Sequence, residues 1–270
     1  MEQYAVWGNP IQQSLSPKIH QAFAKQTQQL LTYQAKLGDL DKFENQLKEF
    51  FFNGAKGCNI TAPFKNRAFQ LADQKTERCQ LAQACNTLKK LENGQLLADN
   101  TDGIGLVNDL KRLNIFTSQQ KILILGAGGA TQGVLFPLLQ AKQDIFIYNR
   151  TLSKAEFLAE RFKKFGNIQA LDNLNIKQSF DLIINATSLG LQGRSIHLPS
   201  FLIQQAKAIY DMQYHLQQDT PFIRQCKLKN QNCYDGLGML VEQAAESFFL
   251  WHGIRPNVEA VLNLLKIKSI

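Results

Sequence analysis

A glycine-rich turn is the part of this sequence whose residue types most directly indicate a chemistry. It comprises Gly126, Ala127, Gly128, Gly129 and Ala130. The apolar run 122–125 precedes it and a helical pattern over 131–140 follows it, which leaves backbone N–H groups free to bind a pyrophosphate at a helix start. Thr131 stands where the dinucleotide fingerprint has a third Gly or Ala, so the context rather than the motif alone predicts a dinucleotide site. The alternative is an ordinary strand–turn–helix unit of an α/β domain.

The end of the next strand indicates which dinucleotide would bind. Enzymes that select NAD usually place Asp or Glu at this point to accept a hydrogen bond from the ribose 2′-hydroxyl. This chain instead has Asn149, Arg150 and Thr151, followed by Lys154. A guanidinium, an amide and a hydroxyl suit a 2′-phosphate, which an acidic side chain would repel. The segment therefore predicts NADP, unless Arg150 and Lys154 form only a solvated helix start.

A second group of polar side chains lies in the first part of the chain, next to predicted strand ends. Its members are Ser14, Ser16, Thr61, Lys65, Asn86, Thr87 and Asp102. Because the strands of an α/β layer present their carboxyl ends at one edge, these side chains can meet around a small polar ligand. Each also has a purely structural interpretation: Ser16 and Asp102 as helix caps, and Lys65 as a surface lysine.

The hydrophobic pattern around these residues predicts an α/β fold throughout the chain. In the first part, strands are expected over 4–7, 33–37 and 57–61, a hairpin over 86–98, and helices from Ser16, from Asp39 to Phe52 with Leu40 facing inward, from Pro63, and over 105–113. In the second part, strands are expected over 122–125, 145–148, 180–185 and 208–212, with helices over 131–140 and 157–165, from Thr220, over 239–251 and from Pro256. The alternation in the second part is typical of a doubly wound sheet.

Length and composition exclude several other classes of protein. A chain of 270 residues can form two domains with sizeable cores, and 44% hydrophobic with 19% charged residues is ordinary for a globular protein. The five cysteines are odd in number and lack C-x-x-C spacing, which argues against a disulfide framework or a zinc site. The four histidines are scattered, so no metal site is expected.

The net charge of +8 is spread thinly over the chain, and no run of basic residues exceeds two. A phosphorylated cofactor and an anionic substrate account for positive potential without nucleic acid, so no nucleic-acid partner is expected. The chain has no run of eighteen apolar residues and does not begin like a signal peptide. We therefore expect a cytoplasmic protein with no membrane partner.

Nine short segments, spread from end to end, share their residue types and their order with one known family. They are GNPIQQSLSPKIH (8–20), CNITAPFK (58–65), ACNT (84–87), DNTDG (99–103), GAGGA (126–130), NRT (149–151), NATSLG (185–190), DMQY (211–214) and DGLGMLVEQA (235–244). Through these segments the chain resembles the shikimate dehydrogenase family, NADP-dependent enzymes of aromatic amino-acid biosynthesis. Gln13, Cys85 and Lys154 differ from the residues common in the family. Lys154 stands where an Arg is common, which implies slightly weaker binding of the adenosine phosphate.

The resemblance implies an oxidoreductase that acts on a CH–OH group and reversibly reduces 3-dehydroshikimate to shikimate with NADPH. It also implies an N-terminal α/β substrate domain formed by residues 1–102 and 238–270. A Rossmann-type, doubly wound NADP-binding domain would comprise residues 103–237, with a cleft between the two domains. The expected assembly is a monomer or a homodimer.

The resemblance further implies a role for individual residues. Lys65 would donate a proton to the ketone oxygen, and Asp102 beside it would favour the charged lysine and orient it. The implied substrate-binding residues are Ser14, Ser16, Thr61, Lys65, Asn86, Asp102, Tyr214 and Gln243. The implied cofactor-binding residues, besides the turn and Asn149, Arg150, Thr151 and Lys154, are Thr187, Ser188, Met212, Gly236 and Met239, with Leu237 an alternative to Gly236. A core role for the two methionines is an equal alternative.

Two other functions are compatible with this resemblance. One is a quinate/shikimate dehydrogenase that uses either cofactor, whose relatives tend to carry an acidic residue near the end of the second strand, where this chain has none. The other is a shikimate-binding homologue without catalysis, which the presence of both Lys65 and Asp102 disfavours.

Overall fold

The computed structural model of the protein describes residues 1–267 and divides into two compact units. The first unit comprises Met1–Gly105 and Val241–Leu264, and the second comprises Leu106–Leu240 with the described residues 265–267. The sequence-based boundaries, 1–102 with 238–270 and 103–237, stay a prediction, and residues 268–270 of that assignment lie outside the described residues. No helix in the described part of the chain is long and apolar enough to cross a lipid bilayer.

The first unit is built on a mixed sheet. Its strands are β1 (Glu2–Gly8), β2 (Leu31–Leu37), β3 (Gly57–Ile60), β4 (Gln74–Lys75), β5 (Thr87–Lys90) and β6 (Leu96–Asp99), in the spatial order β2-β1-β3-β5-β6-β4. β2, β1 and β3 are parallel, whereas β5 is antiparallel to both β3 and β6. The predicted hairpin is therefore confirmed, and its turn contains Gly94 at a φ of +85°, a backbone conformation that favours glycine.

Four helices of the first unit follow the strands or the loops between them. They are α1 (Ser16–Thr27), α2 (Phe43–Phe52), α3 (Lys65–Leu71) and α4 (Glu77–Ala82). On α2 the spacing of Phe43, Leu47 and Phe50 places all three on one face, which is buried in the core with Trp7. The rings of Phe43 and Phe64 stack at 4.2 Å between centroids.

The local structure at the starts of α1, α2 and α3 differs from the sequence prediction. α2 begins at Phe43 rather than after Asp39, because the Asp39 carboxylate accepts hydrogen bonds from the N–H groups of residues 41 and 42 and forms a turn instead. Leu40 is consequently 57% exposed, not inward-facing. Ser16 is the first residue of α1 and makes no side-chain cap, so the cap interpretation of Ser16 is wrong. α3 begins two residues after Pro63, because residues 61–64 form a turn closed by a backbone hydrogen bond.

His20 of α1 is a histidine buried among aromatic rings. Its ring stacks on that of Tyr33 at 4.2 Å between centroids and lies edge-on to the ring of Phe23. Burial lowers the pKa of His20 from its ordinary value to about 3, because a charged imidazolium would lose its hydration there. The folded protein therefore holds His20 in the neutral form at neutral pH.

We expect this burial to make the protein less stable as the pH falls below 6.5. The unfolded chain protonates His20 at its ordinary pKa, whereas the folded chain resists protonation, so the stability is full above that pKa and is lost as the pH falls toward 3. From this residue alone we expect a loss of about 2 kcal/mol in unfolding free energy between pH 7 and pH 5. Urea unfolding at both pH values measures it, with His20→Phe expected to reduce the difference and His197→Phe, at an exposed site, as the control. An equal pH difference in wild type and His20→Phe would contradict the expectation.

The second unit is built on a wholly parallel sheet. Its strands are β7 (Lys121–Leu125), β8 (Asp144–Tyr148), β9 (Ile168–Leu171), β10 (Leu182–Asn185), β11 (Ala208–Asp211) and β12 (Cys233–Tyr234), in the spatial order β12-β11-β10-β7-β8-β9. The chain runs outward from β7 to β9 and then returns to β10 on the other side of β7. This is the strand order of the Rossmann fold, and it confirms the predicted α/β class with a doubly wound, Rossmann-type domain.

Helices connect these strands and complete the chain. They are α5 (Asp102–Arg112), α6 (Gly129–Gln140), α7 (Leu152–Phe162), α8 (Ser200–Gln205), α9 (Pro221–Lys227), α10 (Leu237–His252) and α11 (Val258–Ile267), with 3₁₀ turns at Lys163–Phe165 and Leu189–Gln192. The central strands are buried on both faces, as the continuous apolar runs at Ile122 and Leu182 indicate. A helix starts at Thr220-Pro221 as predicted, and the Thr220 side chain caps it by accepting from the N–H of Ile223.

Candidate active site

The predicted acid–base residues lie side by side at one edge of the first unit's sheet. Lys65 is the first residue of α3, which follows β3, and Asp102 is the first residue of α5, which follows β6. Lys65 Nζ donates to Asp102 Oδ2 at 2.5 Å, and the two side chains remain 33% and 18% exposed. The side chain that caps the Asp102 N–H is Asn100, at 3.1 Å, so Asp102 itself is not the helix cap. The Lys65 ammonium is held in place by Asp102 and is still accessible from solvent, so it can donate a proton to a ligand.

Antiparallel pairing explains how Asn86 reaches the same edge. β5 lies between β3 and β6, with Thr87 opposite Asn59 on one side and opposite Asp99 on the other. The beginning of β5 therefore lies beside the ends of β3 and β6. The sequence argument from carboxyl strand ends is wrong for Asn86, which precedes an antiparallel strand, although the side chain does join the others.

The bonds of Asn86 fix the orientation of its amide. Nδ2 donates to Asp102 Oδ1 at 2.8 Å and to Gln243 Oε1 at 3.2 Å, while Oδ1 accepts from the N–H of Thr101 at 2.8 Å. Because Nδ2 only donates and Oδ1 only accepts, a rotated amide would lose these bonds. Asp102 is thus held by Asn86 on one oxygen and by Lys65 on the other.

Gln243 reaches this group from α10. A Cβ at Gly105 of α5 would lie 2.8 Å from the backbone N of Gln243, so the glycine permits the close approach of the two helices. We call the set of Lys65, Asn86, Asp102 and Gln243 the acid–base cluster. Among the residues that the structure describes, no three His, Cys, Asp or Glu side chains are grouped to hold a metal ion.

Behind the acid–base cluster lies a buried polar network that the sequence analysis did not predict. Ser247 Oγ and Thr87 Oγ1 are 2.7 Å apart, and Asn59 Nδ2 donates to them at 3.0 and 3.1 Å. Thr87 Oγ1 in turn donates to Asn86 Oδ1 at 2.9 Å, and Tyr33 Oη donates to Asn59 Oδ1 at 2.7 Å. These hydrogen bonds offset the free energy that it costs to remove the polar groups from water. The one available signal was a polar residue inside an otherwise apolar strand or helix, at Asn59 and Ser247.

The other predicted substrate residues of the first unit lie in two loops. Ser14 is half-buried, and its Oγ accepts from the N–H of Ser16 at 3.3 Å. Ser16 lies beside the buried network, because its side chain is hydrogen-bonded to Tyr33. This bond lowers the pKa of Tyr33, but burial has the larger effect and raises that pKa well above its ordinary value. Thr61 directly follows β3. Within the described residues, no side-chain hydrogen bond joins Ser14 or Thr61 to the acid–base cluster.

The glycine turn of the second unit has the conformation that its sequence predicted. Gly126 has a φ of +104°, and a Cβ there would lie 3.3 Å from the backbone of Ala186. Nothing lies within 4 Å of a Cβ placed at Gly128 or Gly129, so the backbone at the start of α6 faces open space. Thr131 donates its hydroxyl to the Gly126 carbonyl at 2.8 Å. The threonine at this position therefore closes the turn, a role that the comparison with a third glycine did not predict.

The end of β8 is tied to the glycine turn by Asn149. Its Oδ1 accepts from the N–H of Ala127 at 3.2 Å, and its Nδ2 donates to the Thr151 carbonyl at 2.8 Å. Arg150, Thr151 and Lys154 are exposed at the start of α7. The two cationic side chains are thus available to an anionic ligand bound at the turn.

The loops after β10, β11 and β12 carry the other predicted cofactor residues. Thr187 donates its hydroxyl to Asn185 Oδ1 at 2.8 Å, and Ser188 is exposed at the start of a 3₁₀ turn. A Cβ at Gly236 would lie 2.3 Å from the carbonyl oxygen of Met212, so the backbones approach too closely for any side chain there.

Two further predicted residues lie near these loops. Met239 is only 8% exposed, which also suits a core role, whereas Met212 is half-buried. Tyr214 belongs to the second unit, whereas the other predicted substrate residues belong to the first. Burial raises the pKa of Tyr214, and the charge of Asp235 raises it further.

Three family models match successive parts of the chain. They describe a shikimate dehydrogenase substrate binding domain (residues 6–88), a shikimate / quinate 5-dehydrogenase (residues 110–191) and a shikimate 5′-dehydrogenase C-terminal domain (residues 236–266). A shikimate dehydrogenase (NADP(+)) from Pasteurella multocida is 63% identical over 265 residues, which are 97% of this chain and 98% of the relative. The chain belongs to the shikimate dehydrogenase family. The resemblance inferred from the nine sequence segments is thereby confirmed.

A further relative and two solved structures are similar to this chain over nearly their whole length. A shikimate dehydrogenase (NADP(+)) from Histophilus somni strain 2336 is 60% identical, over 99% of this chain and 100% of the relative. The solved structure of shikimate 5-dehydrogenase from Thermus thermophilus, in complex with NADP(H) and shikimate, has a TM-score of 0.89 at 31% identity and covers 100% of both chains. An Ael1 enzyme from Pseudomonas putida has a TM-score of 0.92 at 44% identity, again over 100% of both chains.

Proposed function

We propose that this protein is an NADP-dependent shikimate dehydrogenase. It reversibly reduces 3-dehydroshikimate to shikimate, an oxidation or reduction at a CH–OH group, in the shikimate pathway of aromatic amino-acid biosynthesis. Family membership and the names of relatives at 60–63% identity support this activity and its cofactor. We further propose that it works in the cytoplasm on small molecules only, without nucleic acid or membrane as a partner.

The second unit has the features that NADP requires. We assign the pyrophosphate to the glycine turn, where the backbone around Gly128 and Gly129 is open to a ligand at the start of α6. Arg150 and Lys154, exposed beside that turn, would pair with the 2′-phosphate, and Asn149 and Thr151 would complete this end of the site. The second half of the sheet would hold the nicotinamide with Thr187, Ser188, Met212, Gly236 and Met239.

We assign the ring substrate to the first unit. Its carboxylate suits the hydroxyls of Ser14 and Ser16, and its ring hydroxyls suit Thr61, Asn86, Asp102 and Gln243. Tyr214 stays a further predicted substrate residue. A polyhydroxylated ring needs donors and acceptors at fixed positions, because each mispaired polar group costs binding energy. The hydrogen bonds that orient Asn86 and Asp102 before any ligand binds meet this need.

The chemistry divides between the cofactor and Lys65. When bound, the reduced cofactor would supply a hydride to the carbonyl carbon of 3-dehydroshikimate. Lys65, as the ammonium, donates a proton to the carbonyl oxygen while negative charge develops on it. Asp102 holds Lys65 Nζ in position through the 2.5 Å contact, and Asn86 prevents the carboxylate from turning away. In the reverse direction the neutral amine of Lys65 accepts the proton from the shikimate hydroxyl.

The observation that carries this proposal is the contact between Lys65 and Asp102 at the edge of the first sheet. A homologue that binds shikimate without catalysis would have no need to hold a cation and a carboxylate together where solvent reaches them. A quinate/shikimate dehydrogenase of dual cofactor use is less well supported, because the end of β8 carries Arg150 and no acidic side chain. The cleft expected between the two domains stays a prediction.

One absorbance assay distinguishes these functions. With 3-dehydroshikimate and NADPH we expect oxidation of NADPH, and with NADH a kcat/KM lower by about 10- to 100-fold, because a charge-assisted contact to the 2′-phosphate is lost. Oxidation of quinate at a comparable rate with either cofactor would support the dual-specificity enzyme instead. An absence of turnover, together with binding of shikimate measured by calorimetry, would support the non-catalytic homologue.

A further inference from the structure

A buried carboxylate, that of Asp211, joins the loops at the carboxyl edge of the second unit's sheet. Asp211 is the last residue of β11 and is 0% exposed. Its Oδ1 accepts from Asn185 Nδ2 at 2.9 Å and from the N–H of Gln213 at 3.1 Å, and its Oδ2 accepts from Thr220 Oγ1 at 2.6 Å. Burial raises the pKa of Asp211, and these three hydrogen bonds oppose that effect.

The bonds of Asp211 continue into the neighbouring loops. Asn185, held through its Nδ2, accepts at Oδ1 from both the N–H and the hydroxyl of Thr187, at 3.1 and 2.8 Å. The Gln213 side chain donates to the Thr187 carbonyl at 2.8 Å, and the Gln213 carbonyl accepts from the N–H of Gly236 at 2.9 Å. Asp211 therefore connects the segments 185–188, 211–214 and 235–236, which follow three adjacent strands.

The topology indicates which part of a dinucleotide these segments would face. A doubly wound sheet consists of two mononucleotide-binding halves, and the dinucleotide crosses the point where the strand order reverses. The glycine turn and Arg150 belong to the half formed by β7, β8 and β9. The loops joined by Asp211 belong to the other half, formed by β10, β11 and β12. If the first half holds the adenosine phosphates, the second half holds the nicotinamide nucleotide.

We propose that Asp211 is a positioning residue for the nicotinamide half of the cofactor site. This role rests on the proposed function, because it assumes that NADP is the ligand. Asp211 is fully buried, so it acts through the loops that it joins; its bonds fix the spacing of the segments that carry Thr187, Met212 and Gly236. At Gly236 this spacing leaves no room for a Cβ, which would lie 2.3 Å from the Met212 carbonyl oxygen. Its loss would let these loops shift, while the glycine turn would keep its own bonds to Asn149 and Thr131.

The test compares two probes that differ only in the nicotinamide. Calorimetry measures the Kd of NADP⁺ and of 2′-phospho-ADP-ribose, which lacks the nicotinamide ring, for wild type and Asp211→Asn. Asparagine has the shape of aspartate, but its NH₂ group cannot accept a hydrogen bond. At least one of the three donors to Asp211 would therefore lose its acceptor. We expect the Kd of NADP⁺ to rise by about 10- to 100-fold, with the Kd of 2′-phospho-ADP-ribose unchanged. Equal weakening of both probes, or of neither, would overturn the proposal.

Matched variants separate positioning from a general loss of stability. Thr220→Val removes one donor to Asp211 and should raise the ratio of the Kd of NADP⁺ to the Kd of 2′-phospho-ADP-ribose, as Asp211→Asn does. Thr220→Ser keeps the hydroxyl and should leave this ratio at the wild-type value. If Asp211→Asn does not fold, the Thr220 pair decides the question. Leu202→Ala, a core change in α8, should lower the thermal stability without altering the ratio. Wild type that fails to bind NADP⁺ or to turn over 3-dehydroshikimate would refute the proposed function itself, which these variants do not test.

Discussion

Lys65→Ala should lower kcat for the reduction of 3-dehydroshikimate by ~10²–10⁴-fold and leave the KM for this substrate nearly unchanged. The alanine variant lacks the proton donor for the carbonyl oxygen, so the loss falls on the transition state. Asp102 should keep its orientation, because Asn86 Nδ2 still donates to its second oxygen at 2.8 Å. Initial rates of NADPH oxidation over a range of substrate concentrations separate the effect on kcat from the effect on KM.

The control for this variant is Lys48→Ala. Lys48 is exposed on α2 of the same unit, so its replacement changes the net charge equally without altering the acid–base cluster. Near-normal turnover of Lys65→Ala would remove Lys65 from the chemistry. A large rise in KM at constant kcat would instead make Lys65 a residue that binds substrate and transition state equally. Thermal unfolding of both variants checks that neither result reflects a loss of folded protein.

Arg150→Asp should weaken NADPH far more than NADH. The change removes a guanidinium that would pair with the 2′-phosphate and adds a carboxylate that repels it, so we expect the KM of NADPH to rise by about 10²-fold or more. NADH has no 2′-phosphate, and a carboxylate at the end of this strand can accept from its ribose hydroxyl. The ratio of kcat/KM values for the two cofactors is the measurement, because it cancels effects common to both.

Lys163→Asp is the matched charge reversal for Arg150→Asp. Lys163 is 64% exposed and follows α7 at the end opposite to Arg150, where its surface ion pair with Glu160 contributes little to stability. Its replacement should leave the cofactor ratio at the wild-type value. A ratio that also stays at the wild-type value in Arg150→Asp would show that the end of β8 does not select the cofactor.

Periodicity predicted the long elements well, and it failed at their ends. The runs at 122–125 and 145–148 are strands in the structure, and the apolar pattern from residue 239 lies on helix α10. The starts of α2 and α3 were wrong by two to four residues, because local turns at Asp39 and before Phe64 compete with the first helical turn. β4, β9, β12, α4 and α8 were not predicted, since elements of two to six residues show too little periodicity.

The candidate site was predictable as a set of residues and not as an arrangement. Motifs indicated Lys65, Asn86 and Asp102, and the contacts among them are present in the structure. The supporting layer of Asn59 and Ser247 was missed, because a polar residue in a buried element has no periodic pattern. Its partners are distant in sequence: Asn59 and Ser247 are 188 residues apart.

By itself the sequence determined the chemistry of this protein. Residue type and local spacing were enough for the glycine turn, the cationic end of β8 and the order of the family's motifs, because each depends on neighbours along the chain. Only the tertiary structure decided how the site is held. The pairing of β5 between β3 and β6 brings Asn86 to Asp102, and the carboxylate of Asp211 joins three loops. Such bonds form between segments that meet only when the sheets are assembled, so no local pattern in the sequence records them.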